Sequence, residues 1–399
     1  MSAQRLQGGG APLRLLPGTI RGAVERLTVR HQSLSVLIAV ALVGALLPLV
    51  VSVPPFSGFG NRNDFVDGFA NAGVFVLLAL GLNVVVGLAG LLDLGYAAFF
   101  AIGSYTYAYG ASPFSGFDIP FWPMLLVGAF VAATFGILLG APTLRLRGDY
   151  LAIVTLGFGE IVPVVFLNSD TYTNGTNGIS AVYQPSLHGL LGVGSFGFGN
   201  PWPYYVAVLG LVAVVMMLLY RLQDSRLGRA WVAIREDEVA AASMGVNTVT
   251  TKLLAFAIGA STAGLAGVFN ASKLSIVSPD QFGFTVSFTV LAMVVLGGMG
   301  NIWGVAIGAF TLYEIQSVFL KQLTNFVQNL HLPVVNLGFL RLDISGIDFV
   351  QYQFLLYGLA LVGMMLLRPE GLFPSRQRRR ELHESPEEAA ESNEELVQA

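Results

Sequence analysis

The sequence predicts an all-α polytopic membrane protein of about ten transmembrane helices, some broken by glycine, with both termini cytoplasmic and one amphipathic cytoplasmic helix between spans. Three observations predict it. The chain is 54% hydrophobic and only 11% charged, whereas soluble domains carry about 25% charged residues. No Asp, Glu, Lys or Arg occurs across residues 68–92, 94–117, 119–144 or 281–313, and each run meets the ~20 apolar residues needed to cross hydrocarbon. The basic residues also fall in alternate connections, as a membrane protein with its positive loops inside requires.

The expected spans are 34–54, 69–92, 94–111, 121–142, 150–168, 202–220, 252–272, 284–299, 302–320 and 351–367, their ends punctuated by residues such as Pro54, Pro55, Pro142, Pro201 and Pro203. The first reads as an uncleaved span: it exceeds a 7–15-residue signal core and shows no small-residue cleavage pattern at Val51-Ser52-Val53. Arg5, Arg14, Arg21, Arg26 and Arg30 precede it, and Arg145 and Arg147 follow the fourth span. Arg221, Arg226, Arg229, Arg235 and Lys252 lie between the sixth and seventh, and five arginines from Arg368 to Arg380 follow the last. Only Arg62, Lys273, Lys321 and Arg341 remain for the other face. The positive-inside rule makes the crowded face cytoplasmic. The organisation is therefore a cytoplasmic segment at 1–33, a membrane domain at 34–372 and a charged tail at 373–399. The tail, nearly devoid of apolar residues, is expected to be disordered. Outer segments 55–68, 169–201 and 321–350 are long enough to form a surface.

Between spans six and seven, the connection 221–251 carries LGRAWVAIREDEVAAASMGVN at 227–247. Helix formers run from Arg229 to Met244, and Gly245 is placed as a C-terminal stop. Trp231, Ile234 and the run Ala240–Ala242 supply an apolar side; Arg235, Glu236, Asp237 and Glu238 supply a charged one. Such a helix either enters a groove on a soluble partner or lies among lipid headgroups. An interfacial helix normally prefers basic residues to an Arg-Glu-Asp-Glu cluster.

This loop resembles the coupling loop of ABC importer permeases, with two alanines, three residues and then glycine at Ala240-Ala241…Gly245; the acid usually placed directly before the alanines stands at Glu238. The run from Arg226 to Lys252 is similar to the branched-chain amino-acid permease family, as are GLNVVVGLAGLLDLGYAAFFAIGSY at 81–105, RLRGDYLAIVTLGFGE at 145–160, VVLGGMGNIWG at 294–304 and Arg368-Pro369-Glu370-Gly371. The likeness extends from about residue 70 to Pro369, and Leu92-Asp93-Leu94-Gly95-Tyr96 resembles the second, longer permease type. The resemblance implies a transport subunit in a bacterial or archaeal plasma membrane. It implies a second related permease, two cytosolic ATP-binding subunits and an extracytoplasmic solute-binding protein as partners, and a coupling helix built on Arg229, Trp231, Ile234, Arg235–Glu238, Ala240, Ala241 and Gly245. Leucine, isoleucine and valine are the solutes it implies. Urea, short amides or other small solutes are the alternative for the same architecture.

The chain has no phosphate-binding Gly-x-x-x-x-Gly-Lys-Ser/Thr sequence, so ATP is expected to be hydrolysed on other subunits and the chain itself is not expected to be an enzyme. The glycine pattern at Gly192–Gly197 follows no strand and opens no helix. Neither a cofactor, a metal site nor nucleic-acid binding is expected. Four polar positions are candidates for the translocation pathway: Asn83, Asp93, Tyr96 and Glu160. Asp93 is either a helix cap at the inner interface or a group lining the path. Glu160 is expected to face the bundle interior, either on the path or in a structural pair, because an acid at the membrane centre costs about 2.5–3.5 kcal/mol. Asn83 also suits an interhelical hydrogen bond, and Tyr105 an interfacial anchor. Gly300, Gly304 and Gly308 are spaced to share one helix face for close packing. A proton-coupled secondary transporter would need ionisable groups along the path, and Glu160, Asp93 and Glu314 are a thin set.

Overall fold

The structure, a computed structural model, describes residues 32–51, 62–143, 149–180, 182–185, 196–197, 200–329, 335–336, 341–342, 349–367 and 371–373. The basic N-terminal segment, Arg145, Arg147, most of the Gly192–Gly197 pattern and the charged tail lie outside the described residues. The helices are α1 (Gln32–Val51), α2 (Arg62–Leu82), α3 (Tyr96–Gly110), α4 (Phe121–Thr143) and α5 (Asp149–Leu167). They continue as α6 (Trp202–Gln223), α7 (Arg226–Glu236), α8 (Glu238–Ser243), α9 (Thr248–Leu274), α10 (Phe284–Gly297), α11 (Ile302–Glu314) and α12 (Gln353–Leu367). Each expected span overlaps one of these helices. Seven stretches among the described residues are long and apolar enough to cross a membrane: 62–88, 121–142, 150–167, 202–223, 248–274, 279–297 and 302–325. α1 and α12 carry shorter apolar stretches, and the 15-residue α3 is only about 22 Å long at 1.5 Å per residue.

The centre of the bundle is α9, packed against α3, α4 and α2. Its sequence explains the closeness. A Cβ on Gly103 of α3 would stand 2.5 Å from the carbonyl oxygen of Gly264, and one on Gly264 would stand 2.5 Å from that of Gly128 in α4. Backbone thus meets backbone across both contacts, and the Ser104 hydroxyl donates to the Gly267 carbonyl at 3.1 Å. Without a hydrophobic driving force between helices in lipid, such small-residue packing and interhelical hydrogen bonds carry the association. α2 is buried almost throughout.

Connections expected on one face come together. At one end Ile179–Ser180 pairs with Ile276–Val277, Tyr183 N–H donates to Ala111, and Lys273 meets Asp67 at 2.8 Å. At the other, Leu372 and Phe373 donate to the carbonyls of Leu296 and Gly297, and α7 and α8 pack beneath the bundle.

Four expectations need correction. α2 starts at Arg62, inside the expected outer segment 55–68, because its polar first turns have partners: the Arg62 guanidinium lies 4.8 Å from the Trp202 ring centre and Asp67 holds Lys273. The helix of span nine continues through a π-helical turn, Ile315–Phe319, to Asn329. Tyr105 is no interfacial anchor: only 3% of it is exposed, packed 4.4 Å from Phe166 and 6.1 Å from Phe282 between ring centres. Gly300, Gly304 and Gly308 do not share one helix face. Gly300, with φ +82°, precedes α11, whose N-cap is Asn301. Gly304 and Gly308 are on α11 and press against the backbone of Gly297, closing the α10–α11 hairpin.

Candidate functional site

The segment expected to be one helix from Arg229 to Met244 is two, α7 and α8, broken at Asp237. That residue is extended (φ −152°) and its carboxylate accepts from the N–H groups of Val239 (2.8 Å) and Ala240 (3.0 Å). An aspartate in this position satisfies orphan donors of a helix N-terminus, so the acidic cluster starts a second helix rather than decorating the first. α8 ends at Ser243, followed by Gly245 at φ +88°, where an L side chain would be strained.

Three side chains fasten this segment to the bundle. Trp231 is fully buried and its indole N–H donates to the Thr251 carbonyl at 2.7 Å. Arg235 reaches across to the Gly87 carbonyl at 2.6 Å. Glu238 pairs with the buried Lys252 at 2.6 Å, joining α8 to the first turns of α9. Ile234 and Ala241 are buried beside them. The remaining residues face outward: Arg229, which donates to the Asp224 carbonyl at 2.8 Å, Glu236, Asp237, Ala240 and Gly245. Sequence reasoning passed over two further exposed residues, Val239 (65%) and Met244 (86%). Their signal was available: apolar residues beside an Ala-rich turn, out of register with Trp231 and Ile234.

Arg235 ends on the least regular part of the bundle. α2 runs into a π-helical turn, Asn83–Leu88, and a non-helical link, Ala89–Gly95, precedes α3. Gly90 has φ +70° and a Cβ there would lie 2.7 Å from the Arg235 side chain, so only glycine lets the arginine lie across the turn. Asn83, 1% exposed, accepts from the Gly300 N–H at 2.8 Å. Asp93 is fully buried; one oxygen accepts from Gly95 N–H at 2.9 Å and the other has no hydrogen-bond partner. The Leu94 N–H donates to Thr155 at 3.0 Å, and the Tyr96 hydroxyl donates to the Gly259 carbonyl at 2.8 Å. The cavity lined by Asp93, Gly95, Thr155 and Phe256 measures only about 10 Å³, barely room for one water. Asn83, Asp93 and Tyr96 therefore surround a closed, internally bonded link in this conformation.

Glu160 is elsewhere. It does not face the bundle interior but lies on the exposed side of α5, with Ile153 (63%), Ile161 (55%) and Val164 (52%) for neighbours on that surface. The interior side of α5 is taken by Thr155 and Gly159, against whose backbone Gly95 packs, which leaves no space for a carboxylate there. Among the described residues no group of acidic and histidine side chains is placed to hold a metal ion.

Residues 65–367 match the family model described as the permease component of the branched-chain amino acid transport system. The chain is 41% identical over 347 residues, covering 83% of its length and 74% of the relative's, to the high-affinity branched-chain amino acid transport system permease protein LivM of Escherichia coli K12. It is 30% identical over 256 residues (62% of this chain, 82% of the relative) to the corresponding permease protein LivH of that organism. It is 28% identical over 325 residues (79% and 87%) to the autoinducer 2 import system permease protein LsrC of Enterobacter sp. 638. No solved structure matches.

Proposed function

From a chain that belongs to the branched-chain amino acid transport permease family, we infer a multi-pass permease subunit of an ATP-driven importer for branched-chain amino acids, of the longer type represented by LivM. The observation that carries the coupling part of this reading is the three-point attachment of α7 and α8 through Trp231, Arg235 and Glu238, which leaves Val239 and Met244 exposed at the tip. A segment held this firmly on one side and bare on the other suits an ATP-binding subunit that supplies a groove for Val239 and Met244. Motion of that subunit pulls on Gly87 and on α9, so it reaches the Ala89–Gly95 link and the spans either side of it. Asn83, Asp93 and Tyr96 hold the link; Glu160 faces the path or the second permease.

Ten spans, both termini cytoplasmic and a plasma-membrane location complete the reading, supported by the alternation of basic residues. Two ATP-binding subunits, a second permease of the LivH kind and an external binding protein are its partners. The likeness to an autoinducer 2 permease favours a second reading in which the same architecture carries another small solute. Reconstitution of the complex in proteoliposomes with its binding protein tests both. ATP-dependent uptake of leucine, isoleucine and valine, with urea and autoinducer 2 excluded, is the expected result. Uptake by this chain alone, without ATP-binding subunits, would sink the importer reading.

A further inference from the structure

Beyond the Ala89–Gly95 link, one other place combines space with a carboxylate and a helix start. Between the end of α5 and the turn Pro279–Phe282 lies a cavity of about 250 Å³, open to one side and lined by Pro163, Val164, Leu167, Pro279, Asp280 and Gly283. A cavity of about 150 Å³ holds benzene, so this one has room for a small branched solute. Its walls are chemically divided. Pro163, Val164 and Leu167 form an apolar strip on α5, spaced as neighbours on one helix face. Asp280 supplies a carboxylate. Gly283 is the N-cap of the 14-residue α10 and brings no side chain to its first turn. The N–H groups that open a helix lack intrahelical partners and attract anions.

Behind the residues that line the cavity, two buried polar atoms lack hydrogen-bond partners, the Tyr105 hydroxyl and Oε1 of Gln281. Tyr105 is wedged between Phe166 of α5 and Phe282 of the turn. The same face of α5 continues inward: Glu160 precedes Val164 by four residues, about 6 Å of helix.

We propose that this cavity is the outer landing subsite for a zwitterionic branched aliphatic amino acid, with Asp280 receiving its ammonium group, the start of α10 its carboxylate, and Pro163, Val164 and Leu167 its side chain. Glu160 is then the next carboxylate on the path inward. This rests on the amino-acid importer reading above, and it explains how an importer path could discriminate against an uncharged amide, which offers neither an ammonium nor a carboxylate.

The test uses the full complex in proteoliposomes with its loaded binding protein, radiolabelled leucine and an ATPase assay. Asp280→Asn and Leu167→Trp should each lower leucine uptake about tenfold while binding-protein-stimulated ATPase stays within about twofold of wild type. Asp280→Glu should recover most of the uptake. Wild-type uptake by Asp280→Asn and Leu167→Trp would overturn the subsite. So would loss of ATPase stimulation in step with uptake, since that pattern belongs to a docking contact with the binding protein. A wild-type complex that fails to move leucine would instead remove the underlying importer reading.

Discussion

At the scale of single residues, Arg235 joins α7 to the irregular turn that ends α2. Its planar guanidinium lies across Gly90 and donates to the Gly87 carbonyl at 2.6 Å. A lysine there offers a compact, strongly hydrated point charge and no rigid fork. Arg235→Ala should leave the complex assembled and its basal ATPase intact, yet cut ATP-dependent uptake by about tenfold, with Arg235→Lys in between; uptake and ATPase measured on the same proteoliposomes decide it. Equal uptake by the alanine variant would show that the Gly87 contact transmits nothing. Trp231 is a different kind of residue. Being fully buried and hydrogen-bonded, its replacement by alanine should cost about 3–5 kcal/mol, read as a lowered unfolding temperature or lost expression. Gly103→Leu should likewise prevent folding, because the new Cβ meets the backbone of Gly264 at 2.5 Å and backbone cannot step aside. Gly157→Ala on α5, with nothing within 4 Å, is the matched control and should express as wild type.

At the scale of elements, Arg235 and Glu238 spend their charges on attaching α7 and α8 to the bundle, and the proposed lever depends on that attachment. Lys252 is buried, so removing Glu238 alone strands a cation; removing both should be milder. A double-mutant cycle with Glu238→Gln and Lys252→Met should give an interaction of about 1–3 kcal/mol in thermal stability. Strict additivity would mean the pair is incidental. Gly245→Pro should damage the same lever, since proline fixes φ near −65° where this turn has φ +88°. The length and polarity of this loop were legible in the sequence, because a Gly stop and an apolar-charged division are local properties. Its break at Asp237 was not: an aspartate inside a run of helix formers reads as a surface charge until its side chain is seen capping the next turn. The seven long apolar stretches were equally legible, since hydropathy and length are local. The π-helical turn at Asn83–Leu88 and the burial of Tyr105 depend on which helices meet, and no periodicity within one span reports that.

At the scale of the whole molecule, α5 presents a surface the isolated chain does not explain. Tyr150 (72%), Ile153 (63%), Ile161 (55%) and Val164 (52%) are exposed, as is Glu160. A lipid neighbour suits the apolar members but not the carboxylate, whose placement at membrane depth costs about 2.5–3.5 kcal/mol. Polar residues in spans almost always turn to a protein interior or a watery cavity, and the chain's own interior is closed to Glu160 by the Gly95–Gly159 contact. The sequence placed the acid correctly in a span and misjudged its direction, because a helix with one acid and few other polar residues has no second marker to show which side is inside. A partner subunit, the transport path or lipid covers that face. Gly157→Trp separates these possibilities: nothing lies within 4 Å of a Cβ there, so the indole fits the isolated subunit without strain. If lipid covers the face, the variant should assemble and transport normally. Covered by the second permease or by the amino-acid path, it should fold and reach the membrane at wild-type level, then either fail to retain the second permease on purification or retain it and lose uptake. Glu160→Leu completes the comparison, since it should raise the stability of the subunit in detergent while lowering uptake in the complex by at least tenfold.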